Sequence, residues 1–203
     1  ARYKAERIDG MKPEASLPMK QGSFVHLVTE HYSKRALESG ELSNPALARA
    51  IGIDLWAKEP HGLPEIVKEE CLRLAETVAR HIVLHADNVV GIEAQVARSE
   101  AGDLVAYDAP EAAVRGRLDR LEVQDAPEGR TLIVWDLKAG RAIDDPKESI
   151  QLALYGALAR SLATADRVIG RLYYPRHEAE RSADLSRGRM DAALRWAMDI
   201  RAA

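Results

Sequence analysis

Residues 116–140 read GRLDRLEVQDAPEGRTLIVWDLKAG. Two strand-like stretches, 112–124 and 131–138, flank the turn signal APEG at 126–129, so the segment is expected to form a β-hairpin. The centre of the turn falls between Pro127 and Glu128, and Asp119 and Asp136 are equidistant from it. A symmetric hairpin sets such residues opposite each other on one face. Lys138 follows Asp136 by two positions and emerges on the same face. Ile133, Val134, Trp135 and Leu137 make the second strand apolar on both faces, as in a central, buried strand. Two carboxylates about 5 Å apart repel by roughly 3 kcal/mol at an effective dielectric near 20. A bound cation or a shared proton must offset that cost. Hard carboxylate oxygens select Mg²⁺ or Mn²⁺. The competing reading is a plain salt bridge between Lys138 and one Asp at the sheet's edge.

Upstream of the hairpin the pattern is helical. Residues 1–20 read as an irregular lead-in. Ser23 is the expected cap of a helix over 24–38 that stops at Gly40. Asn44-Pro45 opens a second helix to about Ala57. Leu63, Val67, Cys71, Leu74, Val78 and Ile82 step by three or four and predict a long amphipathic helix to about Ala86. Val90, Ile92, Ala94 and Val96 then alternate, giving a strand over 89–98. Downstream, Asp145 with Glu148 three residues on forms a capping sequence for a helix to about Leu162. Arg167–Tyr174 is a fourth strand, stopped by Pro175, and a last helix runs from about Asp184. The expected fold is α/β, a central mixed sheet flanked by helices with a helical segment before it. We expect one domain over 1–203, with 41–86 as a helical insertion and 89–174 as the sheet core.

Composition narrows the function. Hydrophobic residues make up 46% of 203, enough for a sizeable core. A single cysteine, Cys71, excludes an intramolecular disulfide and any four-cysteine iron–sulfur or zinc site. Apolar runs are too short for a membrane span, and the opening ARYKAERIDG has no signal-peptide core. The expected setting is therefore cytoplasmic, away from membranes. Net charge is −3, but residues 151–203 carry nine Arg against six acids. That excess could track phosphates, or it could be an ordinary solvated face.

The ordered motifs GRLDRLE (116–122), IVWDLKAG (133–140) and QLALY (151–155), preceded by QGSFVH (21–26), resemble the RecB-like branch of the PD-(D/E)XK nuclease superfamily over about residues 22–174. In that family one strand supplies the first metal-binding Asp, and the next ends in D/E-x-K. A following helix carries Gln-x-x-x-Tyr, and an earlier helix carries a metal-binding His. The resemblance implies a restriction-endonuclease-like core and phosphodiester hydrolysis in DNA, with exonuclease action expected. It implies that His26, Asp119, Asp136 and the carbonyl of Leu137 hold one or two Mg²⁺ or Mn²⁺ ions. Lys138 would act in the chemical step, with Gln151, Tyr155 and Arg117 as substrate or support residues. Relatives with an iron–sulfur cluster need four cysteines, so no such cluster is expected here. The absence of a G-x-x-x-x-G-K-[ST] loop excludes a helicase motor in this chain, and a helicase or recombination partner is conceivable.

Several residues have two readings. Glu30 lies one turn from His26, while His31 is off that face. Glu93 alternates away from the apolar face of its strand and could point toward the metals. His81 and His85 have zinc-like spacing but no third ligand in view. Arg115, Arg117 and Arg120 flank Asp119. One of them could hold a phosphate, or they could pair with Glu122 or Glu93. Two functions compete with a nuclease: a non-catalytic nucleic-acid-binding or scaffold module, and a hydrolase of other phosphate esters.

Overall fold

The computed structural model describes residues 15–41, 43–58, 62–81, 87–140 and 144–202. Helix α1 spans Leu17–Ser39, so it begins before the expected start and Ser23 lies inside it. Ser16 takes the extended cap position and Pro18 falls in the first turn, where a missing N–H leaves no helical bond unmade. Gly40 closes the helix at φ 75° and donates to the Ala36 carbonyl, the left-handed stop that glycine favours. Helix α2, Pro45–Lys58, is capped by Asn44, whose Oδ1 accepts the Leu47 amide at 2.9 Å. The third helical run is interrupted. Glu65–Val67 form a 3₁₀ turn after Pro64, and α3 proper is Lys68–His81. The predicted extension over 82–86 lies outside the described residues.

Among the described residues six strands form one sheet: β1 Val89–Arg98, β2 Leu104–Val105, β3 Val114–Ala126, β4 Gly129–Leu137, β5 Arg167–Tyr174 and β6 Ala179–Asp184. Their spatial order is β2-β1-β3-β4-β5-β6, with β4 and β5 parallel and the other neighbours antiparallel. The sheet is therefore mixed and β4 is central. Its residues 132–137 are all buried, in keeping with a strand apolar on both faces. The short β2 and the edge strand β6 carry no apolar alternation, which is why four strands were expected and six are found. In β6 only Ala183 is buried.

Helix α4, Ile150–Ala159, makes the crossover between the parallel strands. It is shorter than predicted. Asp145 forms a turn of its own: its Oδ1 accepts the Lys147 amide at 2.8 Å and its carbonyl accepts from Glu148. With that carboxylate engaged, Ser149 caps the helix by accepting the Leu152 amide at 3.1 Å. Helix α5, Arg187–Ala202, follows β6.

The two faces of the sheet hold separate cores. Phe24, Val25 and Val28 of α1 and Cys71, Leu74 and Val78 of α3 pack with Ile133, Trp135 and Tyr173. On the other face Leu152 and Leu158 of α4 and Met190 of α5 pack with Leu118, Leu132, Val134 and Leu172. Burying each such side chain contributes about 1.5–3 kcal/mol. Gly116 is what lets α4 approach β3. A Cβ there would stand 2.5 Å from Leu158 Cδ1 and 3.5 Å from the Tyr155 ring.

Alternation breaks within β3. Leu118 and Leu121 both face α4, while Arg120 stacks its guanidinium 4.3 Å from the ring of Trp135 on the other face. In a regular strand residues 118 and 120 would share a face. The ladder to β1 joins Ala94 with Leu118 and Ile92 with Arg120, so Glu93 and Asp119 meet at the step where the strands turn over. Glu93 has φ 51° there, a strained left-handed conformation for a residue with a Cβ. Irregularities of this kind re-aim side chains.

Beside that step lies a buried ionic group. Glu122, 3% exposed, pairs with Arg120, 6% exposed, at 2.7 Å and accepts the Trp135 indole N–H at 3.1 Å. Burial pulls the Arg120 guanidinium down to about 10, against the raising effect of Glu122. Removing one partner of such a pair strands the other charge, at a cost of about 3–5 kcal/mol. Glu122→Ala is therefore expected to lose about that much stability in urea unfolding. A loss under about 1 kcal/mol would contradict this account of the cluster.

Candidate active site

The hairpin register matches the symmetric expectation as far as it runs. Pairs proceed from Ala126↔Gly129, across the two-residue turn, to Arg120↔Trp135. The next step would oppose Asp119 and Asp136, and there the ladder gives way to a side-chain contact. Asp119 Oδ2 accepts the backbone N–H of Leu137 at 2.7 Å. The first carboxylate is thereby tied to the strand carrying the second.

Three further elements converge on this point. Helix α1 brings His26, whose Nδ1 lies 3.4 Å from Asp119 Oδ2. Strand β1 brings Glu93. Ligand atoms of His26, Glu93 and Asp119 all lie within 4.8 Å of one another. Helix α4 brings Gln151 and Tyr155. Lys138 Nζ sits 2.6 Å from Asp136 Oδ2 and donates to Gln151 Oε1 at 2.7 Å. Gln151 Nε2 donates in turn to the Tyr155 hydroxyl at 3.0 Å. An open cleft of about 560 Å³ exposes the group and is lined by His26, Glu93, Arg117, Asp119, Asp136 and Lys138 among others.

Of the three arginines around Asp119, only Arg117 lines this cleft. Its Nε lies 2.5 Å from Glu93 Oε2 and its NH2 donates to Glu30 Oε2 at 2.7 Å. Arg115 is spent on the carbonyls of Tyr107 and Ala109. Arg120 is committed to Glu122. His31 is exposed. His81 stacks on Tyr173, with ring centroids 5.1 Å apart, and His85 lies outside the described residues.

The segment after Lys138 is clamped from outside the cleft. The Lys138 amide donates to the Tyr173 carbonyl. Arg176 Nε donates to the Ala139 carbonyl at 2.9 Å, and its NH1 donates to Glu70 of α3. Glu70 also accepts from Gln21 of α1 at 2.9 Å. Arg176 thus joins the end of β4 to two helices, one of which carries His26. No sequence signal marked this contact, because its partners are separated by 37 to 106 residues.

The electrostatics are those of crowded acids. Burial, then the Asp119 charge, pushes Asp136 up to about 6 although Lys138 pulls it down. Burial and Asp119 also push Glu93 up to about 7, against Arg117. For His26 burial favours the neutral ring, but the hydrogen bond to Asp119 and the charges of Asp119, Asp136 and Glu93 raise it overall. All three shifts mean that the folded state holds protons more tightly than the unfolded chain. That stabilisation is present at acid pH; the Asp136 and Glu93 parts are lost as pH rises through about 6 and about 7, and the His26 part is lost above the ordinary imidazole range. In EDTA the protein is expected to melt a few degrees lower at about pH 8 than at about pH 5.5. Ca²⁺ should reverse this, because a cation favours the ionised carboxylates. A melting temperature that rises with pH in EDTA would overturn this reading.

The donor set fits a hard divalent ion. One imidazole nitrogen and two carboxylates already converge, and Asp136 stands beside them. Ligands about 2.1 Å from an Mg²⁺ ion lie about 3–4.2 Å from one another, close to the spacing of the His26, Glu93 and Asp119 ligand atoms, which lie within 4.8 Å of one another. Comparison with known families matches residues 1–200 to the PD-(D/E)XK nuclease superfamily. No curated protein matches the sequence.

Proposed function

This chain belongs to the PD-(D/E)XK nuclease superfamily, and from that premise we propose that it is a Mg²⁺- or Mn²⁺-dependent deoxyribonuclease of the RecB-like branch, acting as an exonuclease. The observation that carries the proposal is the convergence of Asp119, Asp136, Lys138 and His26 from two strands and a helix on one open cleft. Family membership supports phosphodiester hydrolysis. The order of the four motifs along the chain supports the RecB-like branch.

In this reading His26, Asp119, Asp136 and the Leu137 carbonyl hold one or two ions, and Glu93 joins them. A divalent ion supplies charge neutralisation at the phosphate and acidifies a water molecule. Lys138 orients the attacking water and stabilises the negative charge that develops on the phosphate oxygens. Gln151 accepts a hydrogen bond from the Lys138 ammonium beside Asp136, and its own amide donates to the Tyr155 hydroxyl, which fixes Gln151. The Leu137 amide, donating to Asp119, holds that carboxylate in its ligating position. Arg176 keeps the end of β4 seated against the helices. These 203 residues contain no phosphate-binding loop of the G-x-x-x-x-G-K-[ST] kind, so any unwinding of a duplex substrate needs a motor outside them, and a helicase or recombination partner is one source. Among the described residues no helix is long and apolar enough to cross a membrane.

The test is digestion of end-labelled single-stranded, duplex and circular DNA with Mn²⁺ and with EDTA, beside RNA and a small phosphate ester. Release of mononucleotides or short products from linear DNA only, and only with metal, is the expected result. Cleavage of circles would replace exonuclease with endonuclease action. Binding without cleavage in any metal would favour a non-catalytic nucleic-acid module.

A further inference from the structure

Arg117 lines the open cleft beside the acidic cluster. Its side chain is half exposed, yet two of its donors are engaged, one by Glu93 and one by Glu30. Those acceptors are themselves only 11% and 15% exposed. Glu30 is further held by Lys34 at 2.7 Å, so that end of the bridge is anchored to α1. Glu93 is different, because its carboxylate also belongs to the His26–Glu93–Asp119 cluster. One carboxylate therefore serves two cations, the guanidinium and any ion in the cluster. A guanidinium has five N–H donors, and the ion pairs of Arg117 with Glu93 and Glu30 run through Nε and NH2 alone.

We propose that Arg117 is an exchangeable counter-cation: it neutralises Glu93 in the metal-free cleft and turns to a nucleic-acid phosphate when a divalent ion takes over that carboxylate. The proposal rests on the nuclease reading for its second half only. Three consequences follow from charge and geometry. The guanidinium opposes ion binding, because it stabilises the ion-free acidic cluster. An ion at Glu93 weakens the Glu93–Arg117 attraction and leaves Arg117 held by Glu30 on one side. The freed N–H groups then face the cleft, where the planar fork of arginine matches two phosphate oxygens. Metal and nucleic acid thus strengthen each other's binding through this residue, and by linkage the effect is reciprocal.

Two measurements test this on the full chain, after thermal melting has shown that each variant folds. The first is calorimetric titration of Ca²⁺ without nucleic acid, comparing wild type with Arg117→Gln and Arg117→Lys. Arg117→Gln should bind Ca²⁺ at least about 10-fold more tightly, the scale of a unit charge removed about 5 Å from a divalent ion even at the dielectric of water. Arg117→Lys, which keeps the charge, should stay near wild type. Weaker Ca²⁺ binding by Arg117→Gln would show that Arg117 merely props Glu93 in place, and would overturn the proposal. So would an unchanged affinity, or a wild type that takes up no Ca²⁺. The second is the affinity for a short labelled oligodeoxynucleotide in EDTA and in Ca²⁺. Arg117→Gln should lose about 10-fold in Ca²⁺ and less than about 2-fold in EDTA. Equal losses in both conditions would make Arg117 a fixed phosphate contact and overturn the exchange. A wild type that ignores DNA in Ca²⁺ would be a failure of the nuclease reading, and the Ca²⁺ titration would still decide the counter-cation role.

Discussion

Removing either aspartate is expected to abolish metal-dependent cleavage while leaving a folded protein, but the two substitutions should differ in stability. Loss of a carboxylate ligand forfeits several kcal/mol of charge stabilisation at the phosphate, which corresponds to about 1,000-fold or more in rate. Asp119→Ala and Asp136→Ala should therefore both fall to the metal-free background. Crowding alone would make each metal-free variant at least as stable as the wild type, since each relieves repulsion. The structure divides the two cases. Asp136 is nearly fully buried, and its burial and the neighbouring Asp119 both disfavour its charge. Asp136→Asn keeps the shape, removes that cost and should raise the melting temperature in EDTA. Asp119 accepts the Leu137 amide at 2.7 Å, and alanine leaves that N–H without its acceptor, at about 1–3 kcal/mol. Asp119→Ala should consequently melt lower than Asp119→Asn, whose side-chain oxygen can still accept. Thermal melting in EDTA beside single-turnover cleavage in Mg²⁺ gives both readouts. A folded variant at either position that cleaves at near-normal rate would remove that aspartate from the site.

Much of this site was legible because its central elements are local. The hairpin is one turn, so counting outward from Pro127 and Glu128 places Asp119 against Asp136 without any knowledge of the rest of the fold. Gln151 and Tyr155 are a single helical turn apart on α4, which makes their hydrogen bond a matter of spacing. Reading failed where the physics is tertiary or where two local rules compete. Asp145 and Ser149 both qualify as caps, and the local turn of Asp145 decided for Ser149. The polar strand β6 is held to β5 by backbone pairing and by the Arg167–Asp184 and Arg171–Glu180 ion pairs, and no apolar alternation reports that. Glu93 reaches the cluster because β1 and β3 turn over at residues 93 and 119, an irregularity that simple alternation does not contain. Arg176, Glu70 and Gln21 meet only once the sheet and helices are assembled.

Lys138 should act in the chemical step and contribute little to holding the fold. Its ammonium lies 2.6 Å from Asp136 Oδ2 and 2.7 Å from Gln151 Oε1, with about a quarter of the side chain exposed to the cleft. A positive charge fixed there favours formation of the attacking hydroxide and the charge of the transition state. Neither gain exists before reaction, so both belong to turnover and not to binding. Lys138→Ala is expected to leave DNA affinity in Ca²⁺ within a few-fold, yet to slow single-turnover cleavage in Mg²⁺ by ~100-fold or more, the scale of a lost electrostatic stabiliser. Lys138→Arg should restore only part of the rate, because the broader guanidinium cannot occupy the compact position between Asp136 and Gln151. A structural salt bridge predicts the opposite pattern. Breaking a buried pair usually strands a charge at a cost of about 3–5 kcal/mol, which would appear as a large fall in melting temperature. Asp136 escapes that penalty. Its carboxyl is already pushed up to about 6 with Lys138 in place, so removing the ammonium raises it further and the group takes up a proton near neutral pH. The stability loss of Lys138→Ala in EDTA should therefore be small at about pH 6 and grow toward about pH 8, where the buried carboxylate must ionise. Cleavage per folded molecule near the wild-type rate, with a large fall in melting temperature at every pH, would return Lys138 to the role of a structural ion pair.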